Sequence, residues 1–267
     1  MRGGLLARAR ENSAAILLYG TASLSLLLLM LPLVGLAFES PWPDIGVLLA
    51  DPAVRDALLL SLVVSLAAVV LSLLLGFPLA WLLARSNLPG RGVVRTLITL
   101  PMVMPPVVAG VGLLAAFGRH GLLGEALSIF GVTLPFTTLA AVIAATFVAS
   151  PFLITTLEAG IVQSERRFED VAATLGASRW RIFHSVVLPA IRPALLAGIA
   201  LSWARALGEF GATITFAGNL QGRTQTVPLA IYQTLQTRPE QAFLLAVLLL
   251  AVSLGVLALL RAQRPGT

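Results

Sequence analysis

Residues 57–84 contain no charged side chain, and neither do residues 14–38. A helix rises about 1.5 Å per residue and a bilayer core is about 30 Å thick, so roughly 20 apolar residues suffice to cross it. Both runs are long enough, and the run at 57–84 exceeds the need, so it is expected to tilt or protrude. Inside hydrocarbon the backbone must satisfy its own hydrogen bonds, which favours the helix for such segments. The run at 14–38 is also longer than the roughly 7–15 apolar residues of a signal peptide. It therefore reads as a first transmembrane helix. Mostly apolar runs at 93–117, 138–162, 194–217 and 242–260 bring the expectation to six spans. The fold class expected is all-α integral membrane.

Composition agrees. The chain is 58% hydrophobic and 11% charged, with a mean hydropathy of +0.94, whereas soluble domains carry about 25% charged residues. The net charge of +6 fits the excess of arginine on cytoplasmic loops and calls for no nucleic-acid partner. Thirteen of the 18 basic residues fall in the amino terminus, the second-to-third and fourth-to-fifth connections and the carboxyl tail. Arg55, Arg119, Arg223 and Arg238 fall on the other side, and Arg205 within a span. This asymmetry predicts a multi-pass membrane protein with both termini cytoplasmic. The acidic, proline-rich 39–56 and the segments 118–135 and 218–239 are then outer loops.

Several chemistries are excluded. There is no lysine, so the chain has no G-x-x-x-x-G-K-[ST] loop to hold nucleotide phosphates. There is no cysteine for a disulfide, a thiolate metal site or a nucleophile, and the two histidines, His120 and His184, form no H-E-x-x-H pair. An intramembrane hydrolase finds no Asp in the spans and no His near a Ser in a G-x-S-x-G setting.

Three polar or broken stretches remain. In the third span Pro101, Pro105 and Pro106 remove backbone donors, so the helix must kink or break. Both a packing kink and a gate hinge fit that break. In the fifth, Arg205 and Glu209 lie four apart, the spacing of an intrahelical ion pair. A pair that only neutralises itself and an arginine that tunes a polar pathway are both compatible with this spacing. In the fourth, Ala144, Ala145, Ala149 and Ser150 permit close helix contact around Pro151.

Between the fourth and fifth spans, the polar stretch 165–189 interrupts the apolar pattern longest. Phe168, Val171, Ala172 and Leu175 recur at the spacing of one helical face, with Glu165, Arg166, Arg167, Glu169 and Asp170 on the rest. Gly176 stands where that helix would end and Ser178 can cap a second one, carrying Trp180, Phe183 and Val187, before Leu188-Pro189. Helix, glycine turn, helix is the expected order. An interfacial helix lying on headgroups has the same pattern.

Asp170-Val171-Ala172, Gly176 and Val186-x-Leu188-Pro189 resemble the cytoplasmic E-A-A-x3-G-x9-I-x-L-P loop of permease subunits of bacterial ABC importers, with Asp, Val and Val replacing Glu, Ala and Ile. The stretches LPMVMPPVVAG, GRHGLLGE, RALGEFGATITFAGN and TQTVPLAIY resemble the molybdate permease subfamily and, more distantly, the sulfate and thiosulfate permeases. This resemblance covers most of the chain from about Asp56. It implies a type I importer permease: six transmembrane helices with a cytoplasmic coupling helix between the fourth and fifth. The whole chain, 1–267, is then one permease domain, with 1–56 an extra first helix and outer loop and 57–260 the core.

The resemblance further implies a transporter subunit rather than an enzyme, with no cofactor of its own and ATP and Mg bound by a partner. The partners implied are two copies of an ABC ATPase at the cytoplasmic loop, a second permease copy, an external oxyanion-binding protein and membrane lipid. Glu169, Asp170, Val171, Ala172, Leu175, Gly176 and Ala177 would couple to the ATPase. Pro105, Pro106, Arg205, Glu209, Thr213 and Thr215 would belong to the pathway or its gate. A secondary anion transporter would instead show repeated halves and ionisable coupling residues, and it has no use for the cytoplasmic loop.

Overall fold

The computed structural model describes residues 2–262. Its elements are α1 (Arg2–Glu39), a 3₁₀ turn (Trp42–Asp44), α2 (Ile45–Ala50), α3 (Pro52–Arg85), α4 (Arg91–Val103), α5 (Pro106–Phe117), α6 (Gly124–Ile129), α7 (Thr138–Gln163), α8 (Arg166–Thr174), α9 (Arg179–Ile182), a π turn (Phe183–Val187), α10 (Leu188–Leu207), α11 (Gly211–Phe216), α12 (Val227–Thr237) and α13 (Pro239–Ala262). Among the described residues five helices are long and apolar enough to span a membrane, or six when the bent pair α4–α5 is taken as one span.

Local chemistry sets the ends. Asp51 accepts from the Ala53 amide at 2.9 Å and Pro52 occupies the first turn of α3, where its missing N–H costs nothing. Thr137 caps α7 by accepting from the Ala140 amide at 3.1 Å. The helix α3 thus begins five residues before the expected span and takes in Arg55 and Asp56. The acidic segment at 39–56, expected as a loop, holds the 3₁₀ turn, α2 and this first turn of α3.

The two largest buried clusters lie along α3 and α7. Towards one end α3, α5, α7 and α11 meet largely through alanine: Ala68, Ala109, Ala140, Ala141, Ala144, Ala145, Ala149 and Ala212 are all buried, beside Val64, Leu113, Val148 and Phe216. Side chains as small as alanine let backbones approach closely, as the sequence of α7 suggested. Towards the other end α3, α7 and α10 are spaced by Leu83, Leu153, Leu157, Ile161 and Ile191, with α4 adding Val94 and Ile98. The opposite ends of α3 and α7 match the alternation read from the arginines. Ser61 and Thr138 bond residues of 218–239, through Val227 N–H and the Arg223 carbonyl, whereas Arg85 bonds Ser164.

The third span, expected to kink or break, breaks: α4 and α5 differ in direction by 117° across Met104-Pro105. Two expectations are corrected. The fifth span is not one helix from Ala194 to Ala217. It starts earlier, continuous with α9 through the π turn, and stops at Leu207 before restarting as α11. The segment 218–239 is not simply a loop. It contains α12, whose first amide donates to Ser61 Oγ at 2.7 Å.

The topology yields a first testable result. Single cysteines at Asp44 and Arg223 should react with an impermeant thiol reagent from outside, and one at Ser164 only after the membrane is opened. Labelling of Ser164 from outside would overturn the orientation.

Candidate functional site: a docking helix and a junction of broken helices

The helix α8 is closed by its glycine as the residue pattern required. Gly176 has φ of +80°, a region that a side chain bearing Cβ resists and glycine enters freely. The Ala177 amide donates to the Ala172 carbonyl at 3.0 Å and the Gly176 amide to the Ala173 carbonyl at 3.0 Å. Together these are the paired bonds of a Schellman turn, which satisfies carbonyls that the helix end would leave open. Ser178 then caps the next helix, its Oγ accepting from the Arg181 amide at 3.3 Å. Nothing in α8 is buried. Phe168 and Val171 are more than half exposed and Leu175 is 82% exposed. Phe168, Val171, Ala172 and Leu175 instead form one wall of a groove of about 740 Å³, with Val186, Val187, Ala190 and Pro193 opposite.

Of the residues expected to couple, Asp170, Val171, Leu175 and Gly176 are exposed, and Ala172 and Ala177 are partly covered. Glu169 differs, because its carboxylate turns back into the chain and meets Arg85 at 2.5 Å.

The second site is where the two broken spans meet. Gly211 sits so close to Pro106 that an added Cβ would lie 2.5 Å from the proline Cβ, and a Cβ on Gly110 would lie 2.5 Å from that of Thr215. The break before Pro106 and the break at Gly208–Phe210 are therefore in contact. Arg205 and Glu209 lie beside them: Nη1 of Arg205 is 2.6 Å from Oε2 of Glu209. The pair exists, yet not within one helix, since Glu209 lies past the end of α10. Its other oxygen, Oε1, accepts from the Ala212 amide at 2.8 Å. One buried carboxylate thus satisfies a free donor at the start of α11 and neutralises the arginine. Such double use is how a charge at membrane depth is tolerated.

The Arg205 side chain remains 27% exposed, against 2% for Glu209, so the exposed side of the pair is the cation. Pro105 and Pro106 are exposed at the break. Thr213 is buried, and Thr215 donates to the Gly211 carbonyl at 2.8 Å. These two threonines sit in the packing of the junction rather than on an open surface.

Two ion pairs that join different helices went unread in the sequence. Arg95 of α4 meets Glu158 of α7, with Nε at 2.8 Å and Nη2 at 2.5 Å from the same oxygen. Arg85 meets Glu169. A lone Glu158 in an otherwise apolar run was the available signal for the first, because a buried carboxylate demands a partner.

Comparison with known proteins follows this geometry. The family described as binding-protein-dependent transport system inner membrane component matches residues 76–266. The molybdenum transport system permease protein of Mycobacterium tuberculosis is 44% identical over 249 residues, covering 92% of this chain and 94% of that protein. The corresponding protein of Escherichia coli K12 is 40% identical over 80% of this chain and 93% of its own length. The sulfate transport system permease protein of the same strain is 37% identical over 79% of this chain and 77% of its length. Among solved structures, a bacterial ABC transporter importing the polysaccharide alginate is 21% identical with a TM-score of 0.71, covering 97% of this chain and all of that one. The same fold recurs at a TM-score of 0.73 in an alginate transporter bound to its periplasmic protein, covering 96% of this chain and 99% of that one. The chain belongs to the family of inner-membrane components of binding-protein-dependent transport systems.

Proposed function

We propose that this chain is the membrane-spanning subunit of an importer for a tetrahedral oxyanion, molybdate or its close analogue tungstate. It would move the anion into the cytoplasm by alternating access, driven by a separate ATPase. The observation that carries the reading is α8: a short helix with an uncovered apolar face, set by a glycine turn on the connection richest in arginine. Two such chains, each docked through α8 on one of two ATPase subunits, would enclose a pathway, and an external binding protein would deliver the anion to the outer loops. The identity to the molybdenum permeases, higher than to the sulfate permease, supports the cargo.

The energetics agree with a coupled ATPase. Bringing a dianion in against an inside-negative potential costs about 4.6 kcal/mol per 100 mV, twice the single-charge value. The partly exposed Arg205 beside the junction would offer a passing anion compensating charge, while Glu209 would prevent it from becoming a trap.

Uptake into vesicles holding the assembled complex and loaded with ATP, with molybdate as the probe and the binding protein outside, should depend on both ATP and that protein. Uptake driven by an ion gradient alone would point to a secondary transporter. Preference for sulfate over molybdate would reassign the cargo. Within the same assay Ala172→Asp should displace the ATPase by placing a charge in a closely packed interface, and Gly176→Val should do so by straining the turn. An intact, fully active complex with both variants would count against docking through α8.

A further inference from the structure

We infer that Arg85, the last residue of α3, is the positioning residue through which a displacement of α8 reaches the transmembrane bundle; this rests on the reading of α8 as the ATPase-docking helix. The helix α8 is weakly held otherwise. None of its residues is buried, and it leaves α7 through the non-helical Ser164-Glu165. Against this, one nitrogen of Arg85, Nη2, shares its two hydrogens among Glu169 Oε1 at 2.5 Å, Ser164 Oγ at 2.7 Å and the Ser164 carbonyl at 3.3 Å. A bond also runs back, with Nη2 of Arg166 donating to the Arg85 carbonyl at 2.6 Å. The end of α3, the end of α7 and the first turn of α8 are thereby tied at one point. Bonds between ionised groups are about twice as strong as neutral ones.

An arginine serving only as an interfacial anchor extends its charge into water. Arg167 does so, with its side chain 72% exposed, whereas that of Arg85 is 11% exposed. Arg85 is drawn sideways beneath α8, its guanidinium carbon 5.9 Å from the centre of the Trp81 ring one turn earlier. Trp81 stacks in turn with Phe77 and meets Phe183 edge-on at 6.0 Å, so the knot is backed by aromatic packing from α3 and the π turn. A push on α8 is delivered to α3 as well as along the backbone to α7 and α9. Without the arginine side chain α8 keeps its two flanking connections and the bond from Arg166 to the backbone carbonyl at position 85, and loses the charged tie from α3 to Glu169.

The experiment measures molybdate imported per ATP hydrolysed by the assembled complex in vesicles with its binding protein. Arg85→Gln should retain the ATPase subunit and its hydrolysis, while import per ATP falls by about tenfold or more. Arg85→Lys keeps a charge able to reach Glu169 and should recover part of the ratio. Should Arg85→Gln not fold in the membrane, the exchange Arg85→Glu with Glu169→Arg rebuilds an ion pair and should restore coupling. A wild-type ratio in Arg85→Gln overturns the inference. So does loss of the ATPase from that variant, which would make Arg85 a docking residue, and so does an assembled exchange variant that stays uncoupled. Val171→Asp reports on docking separately: if the ATPase remains bound to it, the reading of α8 itself fails, whatever Arg85 does.

Discussion

Glu209→Ala should destabilise the chain by about 3–5 kcal/mol, the cost of leaving one member of a buried ion pair uncompensated. It removes the counter-charge of Arg205 and the acceptor of the Ala212 amide together. Glu209→Gln should be milder, because an amide oxygen can still accept from Ala212. Thermal unfolding of the detergent-solubilised protein would rank the two. The double variant Arg205→Gln, Glu209→Gln then separates the two roles of the pair. If the charges serve only one another, the double variant recovers both stability and transport. If Arg205 also eases the passage of an oxyanion, it assembles yet imports slowly, with uptake normalised to assembled complex. Full uptake by the double variant would leave Arg205 a packing residue.

Gly110→Ala should be nearly as damaging, for a steric reason. The new Cβ would fall 2.5 Å from the Thr215 Cβ and 3.0 Å from the Ala212 carbonyl oxygen. Overpacking of this kind costs about 1–3 kcal/mol, occasionally more. Since α5 and α11 are held in contact here, the strain falls on the junction that the proposed pathway uses. Thr215→Gly removes the nearer atom and should rescue the variant in part, the Ala212 carbonyl remaining tight. A Gly110→Ala protein with unchanged thermal stability and uptake would show that the two half-helices separate more easily than their packing indicates.

The parts of this architecture that were legible in the sequence are those governed by neighbours along the chain. The span α7 was placed to within a residue because its apolar run is long and carries a single charge, Glu158. The turn at Gly176 was legible because a helical face, a glycine and a capping serine occur in order. Apolar content conceals breaks, however. The fifth span looked continuous because hydropathy averages over Gly208-Glu209-Phe210-Gly211, where two glycines flank a charge and α10 ends. The helix α12 was lost among Gly218, Gly222 and Gln residues, although Thr226 followed by Val227-Pro228 is a plausible start signal. The pairs Arg85–Glu169 and Arg95–Glu158 join residues far apart in sequence, and no local pattern reports such contacts. Glu169 is instructive: helical periodicity put it on the polar face of α8, and only the position of α3 decides that this part of the face looks inward.

The two main buried clusters differ in what fills them. Where alanine is the commonest buried residue, helix spacing is set largely by backbone and Cβ atoms that have no rotamers to exchange. Where leucine and isoleucine stand between the helices, side-chain torsions are available to take up a small shift. The end that carries α8 and Arg85 is the second of these. In the proposed transporter a displacement of α8 would therefore be met first by side chains that can change rotamer, and only then by the alanine contacts around Gly110 and Gly211.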